Sequence, residues 1–306
     1  MDASHMDASS LFITADSRPL FGGWFASTVG AAVAASVHRF RRGNLVFYLG
    51  ACNGDDLSSF QIFEAACRKL PPLEVRHLRV SAPAVADDMA RLEDEAALIV
   101  LAGSDVRRGW QAMCSCGLDS AVRRAVARGA VLLGVSAGAV LMGSVGHEGG
   151  EPFAALGVAP FLLGAHAGDE DWRMARRALA SAQGSRGSGG GGGSGGRGRG
   201  CGGSGGRGGG GGSGDFGQAV GVGILAGGAA ALSPDGTVEP FLMPLVLLCG
   251  AAGEMPGGEA ALSPCRVIPV GMRHCSRPGK GREVGRCAAL RGSRETDREP
   301  CQRGSN

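Results

Sequence analysis

The first unbroken apolar run of strand length in the chain that ends in a turn signal is Leu45-Val46-Phe47-Tyr48-Leu49, closed by Gly50. A continuous run of this length fits a parallel strand covered on both faces better than a half-exposed one. From Leu57 to Leu70 the spacing changes to that of a helix, with Phe60, Phe63, Ala66 and Cys67 on one side. Val75 to Val80 then reads as a strand, Val85 to Leu92 as a short helix, and Ala97-Leu98-Ile99-Val100-Leu101 as a third strand ended by Gly103. Leu118 to Ala127 is helical, with Asp119 near its start and Gly129 just past its end, and Val131-Leu132-Leu133 is a fourth strand. Asp169 to Ala182 forms a helix that is acidic in its first turn and carries Arg173, Arg176 and Arg177 later, the order a helix dipole favours.

This alternation of strand and helix predicts an α/β fold, a parallel sheet with helices on both faces. Residues 1–17, acidic and polar from Met1 to Asp7, read as a disordered leader, and one α/β domain is expected over residues 18–250. Gly184 to Gly214 is almost entirely Gly, Ser and Arg, so it is expected to be a flexible linker inserted within that domain. Closing a longer loop costs only about 0.6 kcal/mol per doubling of length, so such an insertion is tolerated. After it, Ala219 to Leu225, Ala229 to Leu232, Thr237 to Leu242 and Leu245 to Cys249 read as strands completing the same sheet, with a turn at Pro234-Asp235-Gly236. Residues 251–306 are rich in Arg, Gly, Pro and Cys without periodicity and are expected to be a disordered tail.

Composition narrows the function classes. The 56 glycines among 306 residues are far above ordinary usage, with most of the excess in the inserted tract, and the basic excess behind the net charge of +3 sits in that tract and the tail, so the folded part does not read as a nucleic-acid binder. The apolar run Gly30 to Val37 is too short to cross a bilayer, and the first residues have none of the basic-then-apolar character of a secretory signal. Ten cysteines include no CxxC pair, and Cys114-Ser115-Cys116 stands without a second half, so free thiols in a reducing, cytoplasmic setting are expected and no metal site is.

The strongest chemical motif is Gly134-Val135-Ser136-Ala137-Gly138, a G-x-S-x-G sequence with an apolar strand before it and the helix-prone Ala139-Val140-Leu141-Met142 after it. A side chain that projects from so sharp a strand-to-helix turn needs strained backbone angles, and small neighbours remove the clashes that would forbid them. Ser136 is therefore the candidate nucleophile, with the backbone N–H of Ala137 as half of an oxyanion hole. The other half is sought in Leu101-Ala102-Gly103-Ser104-Asp105, which leaves the third strand at the same carboxyl edge. Two histidines follow Ser136. His166, at the end of the apolar run Leu162-Leu163, is the favoured base, and His147, in a Gly-rich loop, is the alternative. Between Ser136 and His166 the only acids are Glu148 and Glu151, and Glu151 is the first choice for orienting the imidazole because it leaves room for a chain reversal.

At these residues the chain resembles the aspartyl dipeptidase (dipeptidase E) and cyanophycinase family of serine peptidases. The resemblance runs from about Leu20 to Phe241, the Gly-rich tract excepted. It rests on Phe47-Tyr48-Leu49-Gly50-Ala51-Cys52-Asn53-Gly54-Asp55, on Leu101 to Asp105 with Gly109-Trp110, on Gly134 to Ala139, on Leu156-Gly157-Val158-Ala159-Pro160-Phe161 leading to His166, and on Ala219 to Ile224 with Ala229 to Leu232. It implies a three-layer α/β/α sandwich of the class I glutamine amidotransferase-like, flavodoxin-like kind with antiparallel closing strands. It also implies amide hydrolysis through an acyl-enzyme on Ser136 with His166 as base. Family members cleave after aspartyl residues or at β-aspartyl-arginine isopeptide bonds. The chain departs from the family pattern in carrying Ser104 where Gly is usual, in a short Ser136-to-His166 interval, and in the Gly-rich tract.

The expectation is thus a serine peptidase acting on small peptides with no cofactor, able to pair as a homodimer, with neither membrane nor nucleic acid among its partners. Its catalytic set is Ser136, His166 and Glu151; its oxyanion hole is Gly103, Ser104 and Ala137; and Asn53, Asp55 and Arg173 are candidates for holding substrate. The rival readings are an α/β-hydrolase esterase, which would carry an upstream His-Gly-Gly motif, a glutaminase, which would carry Cys at the elbow, a family member that has lost activity, and an RNA-interacting protein working through Arg197-Gly198-Arg199-Gly200 and Gly206-Arg207-Gly208-Gly209.

Overall fold

The computed structural model describes residues 10–18, 28–40, 43–67, 73–81, 85–166, 169–184, 220–233, 237–241, 243, 245–249, 266–268 and 274–275. Strand β1 is Leu11–Thr14 and helix α1 is Thr28–Phe40. They are followed by β2 (Leu45–Leu49), a 3₁₀ turn at Ala51–Asn53, α2 (Leu57–Cys67), β3 (Glu74–Leu78), α3 (Val85–Glu95) and β4 (Ala96–Leu101). Next come α4 (Val106–Cys116), α5 (Leu118–Ala127), β5 (Val131–Val135) and the short α6 (Ala137–Met142). A hairpin of β6 (Val145–Glu148) and β7 (Glu151–Ala154) leads to β8 (Leu162–Ala165) and α7 (Asp169–Gly184). Beyond the Gly-rich tract lie β9 (Val220–Ile224), β10 (Ala229–Leu232), β11 (Thr237–Pro240), β12 (Leu245–Cys249), β13 (Arg266–Ile268) and β14 (His274–Cys275).

The main sheet has the order β14-β11-β10-β1-β5-β4-β2-β3. Its β1, β5, β4, β2 and β3 run parallel, and β10, β11 and β14 continue it antiparallel. Alternation along each strand sends side chains to two cores. Leu45, Phe47, Leu49, Ile99, Leu101 and Leu132 pack with Leu92, Met113, Leu118, Val122 and Leu141 of α3 to α6. Val46, Tyr48, Leu98, Val100, Leu133 and Val135 pack with Val29, Val33 and Val37 of α1 and Phe63 of α2. The fold is therefore the expected α/β sandwich with a central parallel sheet between helical layers.

Three expectations are corrected. The leader assigned to residues 1–17 contains β1, whose four residues are all buried and which lies between β5 and β10 near the middle of the sheet. A run of four apolar-compatible residues between Ser10 and Asp16 carries too little periodicity to be told from a loop, and its pairing is entirely long-range. The strands after the Gly-rich tract do not all complete one sheet. Only β10 and β11 do, whereas β9 and β12 join a second sheet of order β13-β12-β9-β8-β6-β7. The tail from residue 251 includes β13 and β14, one on an edge of each sheet. The remainder of the Gly-rich tract after Gly184 and the turn at 234–236 lie outside the described residues.

The second sheet is tied to the first through a shared core. Leu163, Val222, Ile224 and Leu245 belong to the same buried cluster as Ile13 and Leu132. Helix α7 covers its other face through Ala175, Ala178 and Leu179, and Trp172 packs against Gly223, where a Cβ would come within 2.0 Å of the ring.

If β1 belongs to the core, Phe12→Ala should cost about 3–5 kcal/mol, the usual range for a fully buried Phe. Phe12 is 1% exposed and stacks on Phe241 at 6.3 Å. A loss below about 1 kcal/mol in a denaturant titration would contradict the placement of this strand.

Candidate active site

Four parallel strands deliver their carboxyl ends to one edge of the main sheet. Leu49 pairs with Leu101, Leu101 with Gly134, and Thr14 with Val135, so the segments that follow each strand meet above that edge. They enclose a cleft of about 560 Å³ lined by residues that include Asp16, Tyr48, Asn53, Asp56, Gly103, Ser104, Ser136 and His166.

Ser136 sits at the turn between β5 and α6 with φ 51° and ψ −114°. Its N–H donates to the Thr14 carbonyl at 2.9 Å, so the central strand β1 holds the turn from below. The motif's glycines are required by contact. A Cβ on Gly138 would lie 2.2 Å from the Leu101 carbonyl oxygen, and one on Gly134 would lie 2.6 Å from Ala139 Cα. Only bare backbone lets α6 approach β4 and β5 this closely.

His166 arrives from the second sheet. It follows β8 directly, with φ 69°, and its Nε2 lies 2.6 Å from Ser136 Oγ. Gly103 closes the opposite side, where a Cβ would stand 2.9 Å from Ser136 Cβ. The backbone N–H groups of Gly103, Ser104 and Ala137 have no acceptor among the described residues, which leaves them able to bind an oxygen presented to Ser136. Ser104 has φ 122°, a conformation natural to glycine and strained for any side chain. The non-glycine residues of positive φ among those described are Asp55, Ser104, Ser136 and His166. Three of them line the cleft and the fourth is in the loop that supplies Asn53 and Asp56.

The loop after β2 builds the far wall. Asn53 donates from Nδ2 to the Tyr48 hydroxyl at 3.1 Å and accepts from the Asp56 N–H at 3.2 Å. Burial pushes the Tyr48 phenol pKa up, so it stays protonated. Asp56 caps α2, accepting from Ser59 N–H at 2.8 Å and Ser58 Oγ at 2.7 Å. Hydrogen bonds from Ser59 and Ser58 hold its carboxyl pKa down to about 2.

The structure does not bring every candidate to this cleft. Glu151 is 83% exposed and pairs with Arg107 at 3.5 Å; Glu148, its neighbour across the β6–β7 hairpin, takes the same guanidinium at 3.1 Å. Arg107 also lies over the Phe153 ring at 5.1 Å, so the two glutamates serve as a clamp between α4 and the hairpin. Neither forms a hydrogen bond or ion pair with His166, and no carboxylate does so among the described residues. His147 lies within β6 and does not line the cleft. Asp55 turns away, its Oδ2 accepting from Ser81 N–H and Oγ at 3.0 and 2.8 Å. Arg173 is exposed on α7 and does not line the cleft. Asp16, Tyr48, Asp56 and Ser59 line it although the motifs did not point to them. The pattern Asp56-Leu57-Ser58-Ser59 is an N-cap signature and was a readable signal for Asp56. Asp16 depends on β1 and had none.

Among known proteins, no curated sequence matches the chain. The crystal structure of a peptidase from an acI-B1 Actinobacterium superposes with a TM-score of 0.58 at 12% identity, covering 87% of this chain and 96% of that one, a likeness of fold. A protein from Listeria monocytogenes EGD-e named after Peptidase E has 16% identity and a TM-score of 0.37 over 50% of this chain and 76% of that one. The family model of peptidase family S51 matches residues 53–185, the stretch that runs from the far wall of the cleft through the Ser136 turn to His166 and α7. Over residues 53–185, which include Ser136 and His166, the chain is therefore similar to peptidase family S51.

Proposed function

We propose that the protein is a serine-type peptidase that hydrolyses an amide bond in a small peptide through an acyl-enzyme on Ser136. The observation that carries this reading is the 2.6 Å approach of Ser136 Oγ and His166 Nε2 across 30 residues of sequence, in a cleft of substrate size. In the reaction His166 takes the Ser136 proton as Oγ attacks the carbonyl carbon. The developing oxyanion is received by the N–H of Ala137 and by that of Gly103 or Ser104. His166 returns the proton to the leaving amine, and water then repeats the sequence to release the acid. The match of residues 53–185 to a peptidase family model supports amide hydrolysis over ester hydrolysis.

Ser136→Ala should abolish both peptide hydrolysis and labelling by a fluorophosphonate while leaving the melting curve unchanged. Equal labelling of the variant would remove Ser136 from the nucleophile's role.

The placement of Glu151 and Glu148 makes a separate forecast. Glu151→Gln and Glu148→Gln should each keep kcat/KM within about twofold and cost at most about 1 kcal/mol, as for other exposed ion pairs. A fall of about 10⁴ in kcat, the effect of losing a carboxylate that fixes a histidine tautomer, would show that one of them reaches His166 during turnover.

Ser104 tests the oxyanion loop. Ser104→Gly should raise stability by about 1 kcal/mol by removing the strain of a side chain at φ 122°. If the Ser104 N–H binds the oxyanion, the change alters kcat and leaves KM nearly fixed. A destabilised variant would mean that the serine side chain holds this loop.

A further inference from the structure

The charge of the cleft identifies the kind of substrate group it accepts. Among the described residues that line it, the ionisable side chains are Asp16, Asp56, Tyr48 and His166, and no lysine or arginine is present. Asp56 is a permanent anion, since its carboxyl pKa is held down to about 2. Asp16 is fixed by hydrogen bonds from the Gly227 N–H at 2.8 Å and the Arg18 N–H at 2.9 Å. Its ion-pair partner among the described residues, Arg18, has a side chain that is 74% exposed and does not line the cleft. Tyr48, Ile62 and Phe63 add an apolar wall beside these carboxylates.

An acidic substrate side chain would meet two carboxylates of like charge and, among the described residues that line the cleft, no lysine or arginine, an arrangement that disfavours its binding. A protonated nitrogen meets the reverse conditions. Its charge faces the carboxylates, and a methylene stem can lie along the aromatic wall. Resting on the peptidase reading above, we propose that the cleft selects peptides that present a cation, an ammonium or a guanidinium, to Asp16 and Asp56, and that it disfavours aspartyl side chains. Asp56 and Asp16 are then specificity-determining residues, separate from the pair that makes and breaks bonds.

Binding separates this proposal from catalysis. The full-length Ser136→Ala protein is titrated by calorimetry with Ala-Ala, N-acetyl-Ala-Ala, N-acetyl-Arg-Ala and N-acetyl-Asp-Ala. At least one cation carrier, Ala-Ala or N-acetyl-Arg-Ala, should bind on the order of tenfold or more tightly than N-acetyl-Ala-Ala, and N-acetyl-Asp-Ala should bind most weakly. Tight binding of Ala-Ala alone assigns the cation to the α-ammonium, and tight binding of N-acetyl-Arg-Ala assigns it to the side chain. Adding Asp56→Asn, which keeps an acceptor for the α2 cap, should shrink the ratio several-fold, as should raised salt. Asp16→Asn gives an independent second reading if the first variant melts early. Binding of N-acetyl-Asp-Ala as tightly as N-acetyl-Ala-Ala, ratios unmoved in both variants, or no binding of any peptide would overturn the proposal. A preserved cation preference in Ser136→Ala, with no hydrolysis of the preferred peptide by the unaltered protein, would instead overturn the peptidase reading alone.

Discussion

The close approach of α6 to the ends of β4 and β5 constrains everything around the cleft. A strand that turns directly into a helix above its own sheet must bring helix backbone against strand backbone. Here that contact is the Cα of Gly138 against the Leu101 carbonyl and Gly134 against Ala139. Larger residues would lift α6 and with it Ser136, whose φ of 51° exists only because the flanking contacts leave no alternative. The Ser136 N–H bond to Thr14 anchors the turn to β1, and Gly103 lets the β4 loop close against Ser136 Cβ. Strain of about 1–3 kcal/mol per such residue is sustained by the large apolar core on both sides of the sheet.

The two residues that meet over the cleft come from different sheets. Ser136 is fixed by the main sheet, His166 by the end of β8 in the second. Their separation therefore depends on how the sheets are joined. The join is stiff. Helix α6 packs on both β5 and β8, Leu156 and Ala159 donate backbone hydrogen bonds to Leu141 and Met142, and one buried cluster holds side chains of both sheets. A packed interior of this kind does not deform gradually. The Arg107 clamp on Glu148 and Glu151 adds a polar tie between α4 and the hairpin of the second sheet, which is a more direct physical account of those glutamates than a contact with His166.

The sequence made the elements with strong local signals legible. The buried parallel strands β2, β4 and β5 showed as continuous apolar runs, and the elbow showed as small residues around Ser136 between a strand and a helix. What it concealed was long-range. Strand β1 is four residues long and becomes a strand only through pairing with residues more than a hundred positions away. The division of the later strands between two sheets is equally silent, because β9 and β10 have similar small, apolar sequences and differ only in their partners. The error at Glu151 has the same origin: chain distance allowed it to reach His166, but the hairpin register places it beside Glu148 and Arg107. Asp55 and Asp56 are adjacent, and only the cap of α2 decides that Asp56 faces the cleft while Asp55 turns to Ser81.

Among the described residues no carboxylate is bonded to His166. In the proposed reaction His166 becomes an imidazolium at the moment the oxyanion forms, and any fixed negative charge nearby lowers the energy of that state. Asp16 and Asp56 line the cleft but form no hydrogen bond or ion pair with His166. They cannot fix the ring's tautomer, which only a direct hydrogen bond does. The ring is placed instead by its backbone, which leaves β8 at φ 69° and sets Nε2 2.6 Å from Ser136 Oγ.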